Sequence, residues 1–258
     1  FPNEDQSLRD YLIACQVFTF WLDPTIEEER QLLSEIFSSY PRNTPILGWF
    51  PGGGTGEKAG VELASSHGLF VAASDLMPNL TVHSAMNAAL PLKQRSRQAK
   101  LATVLEEKVY VTFVISDGDN VQYCLNKMRT LWDDEERGEV SIGWSISPLL
   151  LELAPSVIEW YYQSASLNDY FVAGPSGVSY IYPSRHPDLG SFCEMSAPYL
   201  LNSDLTEVWI LDPDSLANRS TAKFFIETLN LSGVFEGYHD SDQPPIIIVG
   251  KPYISSMV

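Results

Sequence analysis

The chain has 258 residues, of which 45% are hydrophobic and 19% charged, a balance typical of a globular protein with a sizeable apolar core. Its 33 acidic residues outnumber 16 basic ones and give a formal net charge of −17. The acidic balance excludes nucleic acid and anionic membrane surfaces as partners, because both require clustered lysine and arginine, and it favours a neutral polar substrate such as a sugar, or a cation. No apolar run reaches the roughly 18 residues of a membrane span, so we expect no membrane insertion.

The predicted elements alternate between apolar strands and amphipathic helices. A capping box of Thr25 and Glu28 predicts the start of the first clear helix. Runs rich in Val, Ile and Phe, mostly without polar alternation, predict strands buried on both faces. In chain order these runs are VFTFWLD (17–23), TPILGWF (44–50), GLFVAASD (68–75), KVYVTFVISD (108–117), VSIGWSIS (140–147), DYFVAG (169–174), EVWILD (207–212), GVFEG (233–237) and PIIIVG (245–250).

Strand and helix repeat without an intervening linker, which favours parallel connectivity in an α/β fold. At this length we predict a (β/α) barrel resembling the TIM type, with about seven to eight mostly parallel strands. An open doubly wound sheet is the alternative. No composition shift marks a boundary, so residues 1–258 are predicted to form a single domain. The abrupt start at Phe1 indicates a fragment that lacks an N-terminal domain.

Acidic residues stand at the ends of five predicted strands, and in parallel α/β folds the carboxyl ends of the strands meet at one mouth. These residues are Asp23, Asp75, Asp117 with Asp119, Asp212 and Glu236. Each aspartate alone also fits a structural role, because an aspartate after a strand often caps the next helix.

The stretch SDGDN, residues 116–120, provides the predicted central acids, Asp117 and Asp119. Gly118 permits a sharp turn between them, and repulsion between two such carboxylates raises the pKa of one, which suits a general acid beside an ionised partner. The same pair also suits a divalent metal. Glu236 and Asp75 are the predicted catalytic partners, with Asp212 and Asp23 as alternatives; these last two, with Glu57 and Asn120, are the polar candidates for substrate binding.

Other motifs are incomplete. GGGTGEKAG, residues 52–60, lacks the glycine-lysine-hydroxyl ending of a phosphate-binding loop, and no G-x-S-x-G elbow is present. The three cysteines have no disulfide or zinc spacing, and the four histidines show no H-x-x-x-H spacing. We predict no cofactor and no metal.

The stretch AGPSGVSYIYP, residues 173–183, follows a predicted strand and therefore lies at the mouth. Tyr180 and Tyr182 alternate with Ile181, so both side chains point to the same side if the segment is extended. There they suit stacking on a sugar, together with Trp49 and Trp144. The alternative is that both tyrosines belong to the core.

The segment GVSYIYP resembles the Gly-x-Gly-Tyr-x-Tyr-Pro signature of the GxGYxYP family of glycoside hydrolases. VISDGDNVQY, GWSISP and LASSHGLFVAASD are also similar to the C-terminal, barrel-like domain of that family. Ser179 departs from the signature, because it replaces the second glycine. The resemblance implies a glycosidase class and a preceding N-terminal companion domain.

The leading hypothesis is a glycoside hydrolase that cleaves an oligosaccharide or polysaccharide with a pair of mouth carboxylates. The alternatives are a barrel that binds glycans without cleaving them, and a metal-dependent carbohydrate deacetylase with Asp117, Asp119 and His83 as ligands. An acidic, glycan-processing protein is expected to be secreted or otherwise extracytoplasmic.

Overall fold

A computed structural model describes residues 8–98, 106–117, 121–213, 219–237 and 244–255. The strands in these ranges are β1 (Pro45–Leu47), β2 (Phe70–Ala72), β3 (Phe113–Ile115), β4 (Ile142–Ile146), β5 (Asp169–Ala173), β6 (Glu207–Ile210), β7 (Gly233–Glu236), β8 (Ile246–Ile248) and β9 (Lys251–Ser255). The helices are α1 (Arg9–Ala14), α2 (Glu27–Ser38), α3 (Gly53–Ser66), α4 (Leu80–Ser84), α5 (Val121–Leu125), α6 (Lys127–Trp132), α7 (Leu150–Leu153), α8 (Pro155–Ser164), α9 (Leu189–Asn202) and α10 (Arg219–Thr228). No helix in these ranges is long and apolar enough to cross a membrane.

The strands form two sheets. β1 and β2 make a parallel pair, and the other strands form a curled sheet in the order β3-β4-β5-β6-β7-β9-β8. All pairs in the larger sheet are parallel except β8 with β9, which are antiparallel. The α/β class and the mostly parallel pairing are therefore confirmed.

The prediction of a TIM-type barrel is wrong in one respect, because the sheet is a half-barrel that does not close. Residues 17–23 lie within the described part of the chain but form no strand. In place of a strand-to-strand contact, Val71 of β2 pairs with Tyr180 of the loop after β5, through Val71 N to Tyr180 O at 2.9 Å and Tyr180 N to Val71 O at 3.1 Å. The loop therefore connects the two sheets.

Alternation along the strands divides the core between two faces. In β6, Val208 and Ile210 point into the larger cluster, which packs against α4 to α10, while Trp209 points into a smaller cluster with residues of α2 and α3. Tyr180 and Tyr182 belong to the smaller cluster. The loop after β5 is thus part of the packing on the face opposite to most of the helices.

Candidate functional site

The loop over residues 174–183 is held at each end of its tyrosine motif. Gly177 has φ +131°, and a Cβ there would lie 3.0 Å from Ser196 Oγ, so the turn requires glycine. Ser179 Oγ donates to Val71 O at 2.7 Å, and Tyr182 N donates to Ser65 Oγ of α3 at 2.9 Å. These bonds fix both tyrosine backbones relative to β2 and α3.

Three aromatic side chains meet beside this loop. The Trp49 and Tyr180 rings stack with centroids 6.2 Å apart and an interplanar angle of 20°. Tyr180 meets Tyr182 edge to face at 5.8 Å, so the two tyrosines do share a side. Both tyrosines are nearly buried, at 3% and 6% exposure, whereas Trp49 is only partly buried. The prediction of two tyrosines projecting toward a sugar is therefore corrected: Trp49 is the more accessible ring, Tyr180 stacks on it, and Tyr182 packs against Tyr180.

At this mouth, Glu57 of α3 is the described carboxyl group whose pKa is raised above its ordinary value. Partial burial raises its pKa, and the negative charge of Asp117 raises the pKa further. Asp117 follows β3 and is exposed. Both effects favour the protonated form of Glu57, because a charged carboxylate there would be poorly solvated and would face a like charge.

Tyr182 lies in the same acidic environment. Its pKa is raised, first by burial and then by the charges of Glu57, Glu62 and Asp212, while a hydrogen bond from the Tyr180 hydroxyl acts in the opposite direction. The phenol therefore stays neutral.

Helix α5, which follows Asp117 in the chain, is tied to the end of β2. Gln122 N donates to Ala73 O at 3.3 Å, and the Gln122 side chain accepts from Leu76 N, so the start of α5 is tied to the end of β2. Tyr123 is close enough that burial and the charges of Cys124 and Asp117 raise its pKa. Carboxylates that lie on separate elements, after β3 and within α3, thus become neighbours.

Asp212 and Asp23 make hydrogen bonds that have structural roles. Asp212 is 4% exposed and accepts from Ser184 N at 2.6 Å and Ser184 Oγ at 2.7 Å, which pins the turn after Tyr182. Asp23 accepts from Thr25 Oγ1 at 2.6 Å and Thr25 N at 2.8 Å, and these bonds lower its pKa. Asp23 also lies beside Gly52, just before α3.

Glu236 and Trp144 do not join the mouth, and both predictions are corrected. Register places Glu236 beside Ile210 on the helix-covered side, where it is fully buried and accepts from Ser255 Oγ at 3.2 Å. Trp144 is 2% exposed, and its Nε1 donates to Asp169 at 2.9 Å within the larger core. Both errors concern the side of the sheet on which a side chain lies, because a short strand has too few alternating residues to show which side is which.

Asp75 is partly buried after β2 and lines the same cavity as Trp49. Asp119 and Asn120 lie outside the described residues. His83 lines a separate cavity with Cys124 and Trp160. Among the described residues, no group of three His, Cys, Asp or Glu side chains could hold a metal ion, and the predicted deacetylase ligand Asp119 lies outside that part of the chain.

Sequence reasoning missed Tyr123 and Glu62 as neighbours of the mouth. Tyr123 lies in α5, and Glu62 pairs with Arg185 at 3.2 Å in the turn after Tyr182. The sequence signal that could have indicated Glu62 is the helix α3, which carries Glu57 and Glu62 five residues apart.

The fold is an α/β half-barrel with carboxylates and an aromatic group at its strand ends. Comparison with known protein families identifies the family to which the chain belongs. Residues 107–257 match the model described as GxGYxYP putative glycoside hydrolase C-terminal domain, and residues 2–85 match that of the GxGYxYP third domain. The chain belongs to the GxGYxYP family. Trp49, Glu57 and Asp75 lie within residues 2–85, and Asp117 and the two tyrosines lie within residues 107–257. Both matched regions therefore contribute to the mouth.

A solved structure described as a putative hydrolase from Bacteroides thetaiotaomicron VPI-5482 is 31% identical to this chain, with a TM-score of 0.86. The match covers 95% of this chain and 48% of that one, so the chain spans about half the length of its solved relative. No curated protein matches the chain.

Proposed function

We propose that this chain forms the active-site region of a glycoside hydrolase in which Glu57 donates a proton and Asp117 is its ionised partner. The observation that carries the proposal is the pairing of a carboxyl group whose pKa is raised by burial and by Asp117 with that exposed aspartate, at the mouth of an α/β half-barrel. Two carboxyl groups in unlike surroundings are the usual equipment for cleaving a glycosidic bond.

In the proposed reaction the glycosidic C–O bond breaks and the leaving oxygen takes the proton of Glu57. Asp117, the more exposed carboxylate, acts on the opposite side, either by activating the attacking water or by attacking the anomeric carbon itself. Water finally supplies the hydroxyl group of the released sugar. Asp119, outside the described residues, and Asp75 are further candidates for the partner role.

Trp49 is the proposed sugar platform. Its partly exposed ring can stack on the apolar face of a pyranose, and Tyr180 holds the ring from behind. Asp212 positions the Tyr182 turn through Ser184, and its role is therefore to support the site.

The substrate class we propose is an oligosaccharide or polysaccharide. The family model named as a third domain and the longer solved relative support a preceding companion domain in the natural protein. An extracytoplasmic or secreted location is proposed on the same grounds as the substrate class.

The test is release of reducing ends from a glycan panel by wild-type protein, Asp117→Asn, Glu57→Gln and the control Glu62→Gln. Glu62 lies in the same helix and pairs with Arg185, so its variant removes a nearby charge without removing a proposed catalytic group. We expect each catalytic variant to lose about 10² or more in turnover with a melting temperature no lower than that of wild type, and the control to retain turnover. Tight glycan binding without any product would instead identify a binding module.

A further inference from the structure

We propose that an apolar cavity beside β1 binds the alkyl or aryl aglycone of an amphiphilic glycoside whose sugar occupies the mouth. The cavity has a volume of about 660 Å³, within the range of about 300–1,000 Å³ that small-molecule sites occupy. This inference rests on the proposed function, because it names the substrate class of the same site.

The cavity lies between β1 and the irregular segment of residues 15–22. Consecutive residues from Thr44 to Pro51 line one wall, so the cavity follows β1 toward its carboxyl end. The opposite wall includes Val17, Phe18 and Trp21, which are 40%, 57% and 53% exposed. Large apolar side chains that remain exposed together around a hollow are typical of a ligand or partner site.

The cavity shares Trp49 and Asp75 with the mouth. Trp49 and Asp75 both line the cavity, and Trp49 also stacks on Tyr180 at the mouth. The aglycone of a sugar on the Trp49 ring would therefore lie next to the apolar cavity.

The chemistry of the wall selects a neutral occupant. Most lining residues are apolar, the charged one is the carboxylate of Asp75, and the net charge of the chain is −17. A fatty-acid anion would be repelled, and water would find few hydrogen-bond partners along such a wall. An uncharged alkyl or aryl group fits the apolar wall, and a sugar attached to it would lie at the mouth.

Cys15 provides a direct reporter, because it lines the cavity and is exposed, whereas the other two cysteines of the chain, Cys124 and Cys193, are buried. The experiment measures the rate at which a maleimide modifies Cys15 in the longest natural polypeptide that contains this chain. The added probes are methyl, hexyl and octyl β-D-glucoside, all below micelle-forming concentrations. Cleavage of each glucoside is measured separately.

We expect octyl glucoside to protect Cys15 and methyl glucoside to leave it reactive, with affinity rising about fourfold for each added methylene until the cavity is full. Val17→Glu places a charge in the wall and should weaken octyl glucoside binding by about tenfold or more. Ile13→Glu is the matched control, since Ile13 is 69% exposed and is absent from the cavity wall.

Protection that does not depend on chain length would overturn the inference, as would a Cys15 that is unreactive before any probe is added, because preceding chain would then cover the cavity. Glycan cleavage in either case would leave the proposed function standing. Chain-length-dependent protection without cleavage of any glycan would instead support the cavity and count against the hydrolase.

Discussion

At the residue scale, the mouth depends on how Glu57 is solvated. The carboxyl group is partly buried in α3 and faces the charge of Asp117, and both effects raise its pKa above the ordinary value of 4.5. The folded chain therefore holds this proton to a higher pH than the unfolded chain does. As pH rises from the ordinary pKa through the raised one, the folded protein loses stability relative to the unfolded chain, because the carboxyl group ionises more readily in the unfolded chain.

Glu57→Gln removes this penalty, because the amide never ionises. We expect the variant and the wild type to melt at similar temperatures below the ordinary pKa of the carboxyl group. Above it, the variant should gain stability relative to wild type as pH rises through the raised pKa, and the difference should then level off. Thermal melts across a pH series measure this trend, and a difference that is the same at every pH would contradict the electrostatic account of Glu57.

Tyr180 is a second residue whose surroundings make a definite prediction. Its hydroxyl group shares a hydrogen bond with the Tyr182 side chain, and the residue is 3% exposed. Tyr180→Phe should lower the free energy of unfolding by roughly 0.5–1.5 kcal/mol, since it removes one partner of a buried hydrogen bond. Denaturant unfolding beside Tyr40→Phe, a tyrosine that is 39% exposed, provides the comparison. Equal stability of Tyr180→Phe and wild type would show that the hydroxyl pair contributes nothing.

At the element scale, the junction between β2 and the loop after β5 holds the two sheets together. Its side-chain bond comes from Ser179, which is fully buried and donates to Val71 O at 2.7 Å. The family signature has glycine at this position, so this chain has gained a side-chain hydrogen bond there while Gly177, the first signature glycine, keeps its positive φ.

Ser179→Ala removes the hydroxyl and should lower the free energy of unfolding by roughly 0.5–1.5 kcal/mol. Ser179→Gly, which restores the signature, should cost up to about 1 kcal/mol more, because glycine loses additional backbone freedom on folding. Equilibrium unfolding of the three proteins measures both steps. A glycine variant as stable as wild type would mean that the serine bond does not strengthen the junction.

The elements also show where sequence patterns stop being informative. Apolar runs predicted the positions of eight of the nine observed strands, β1 to β8, because strands that pack in a sheet leave a clear mark on composition, and they missed β9 (Lys251–Ser255). The run at 17–23 has the same composition but no strand partner among the described residues, and composition does not encode partners. The prediction of a capping box at Thr25 and Glu28 is wrong for a local reason. The Thr25 hydroxyl donates to Asp23, and the glutamate that accepts from a backbone N–H here is Glu29, from Asp23 N at 2.5 Å.

The site was predicted unevenly for a related reason. The rule that strand ends meet depends only on topology, and in the structure Asp75 lines one cavity with Trp49 while the charge of Asp117 acts on Glu57. It failed for Glu236, which lies on the other side of the sheet because of the strand register, and it undervalued Glu57, because Glu57 lies in a helix and not at a strand end.

At the scale of the whole molecule, the open half-barrel leaves an apolar edge. Val109, Val111 and Phe113, in and before β3, are 91%, 68% and 59% exposed, and within the described ranges β3 pairs with β4 alone. An exposed apolar edge favours pairing between molecules, and the net charge of −17 opposes it through repulsion.

The chain should therefore associate most readily near its isoelectric point of about 4.5 and in high salt, where repulsion is lost or screened. Val111→Lys places a charge on the edge and should suppress that association. Val82→Lys, at a 55% exposed position of α4, adds the same charge away from the edge and should suppress it less. Light scattering across pH separates the two variants, and equal suppression would show that net charge, not the edge, controls association.

The central claim is that Glu57 donates the proton in glycosidic cleavage, and the pH dependence of kcat/KM on a cleaved glycan tests it most directly. Wild-type activity should fall as pH rises through the raised pKa of Glu57, because only the protonated form can act as the acid. In Glu57→Gln the rate should be lower by about 10² or more, and that alkaline fall should disappear. A variant that keeps the wild-type rate and the same alkaline limb would contradict the claim and assign the acid to another residue.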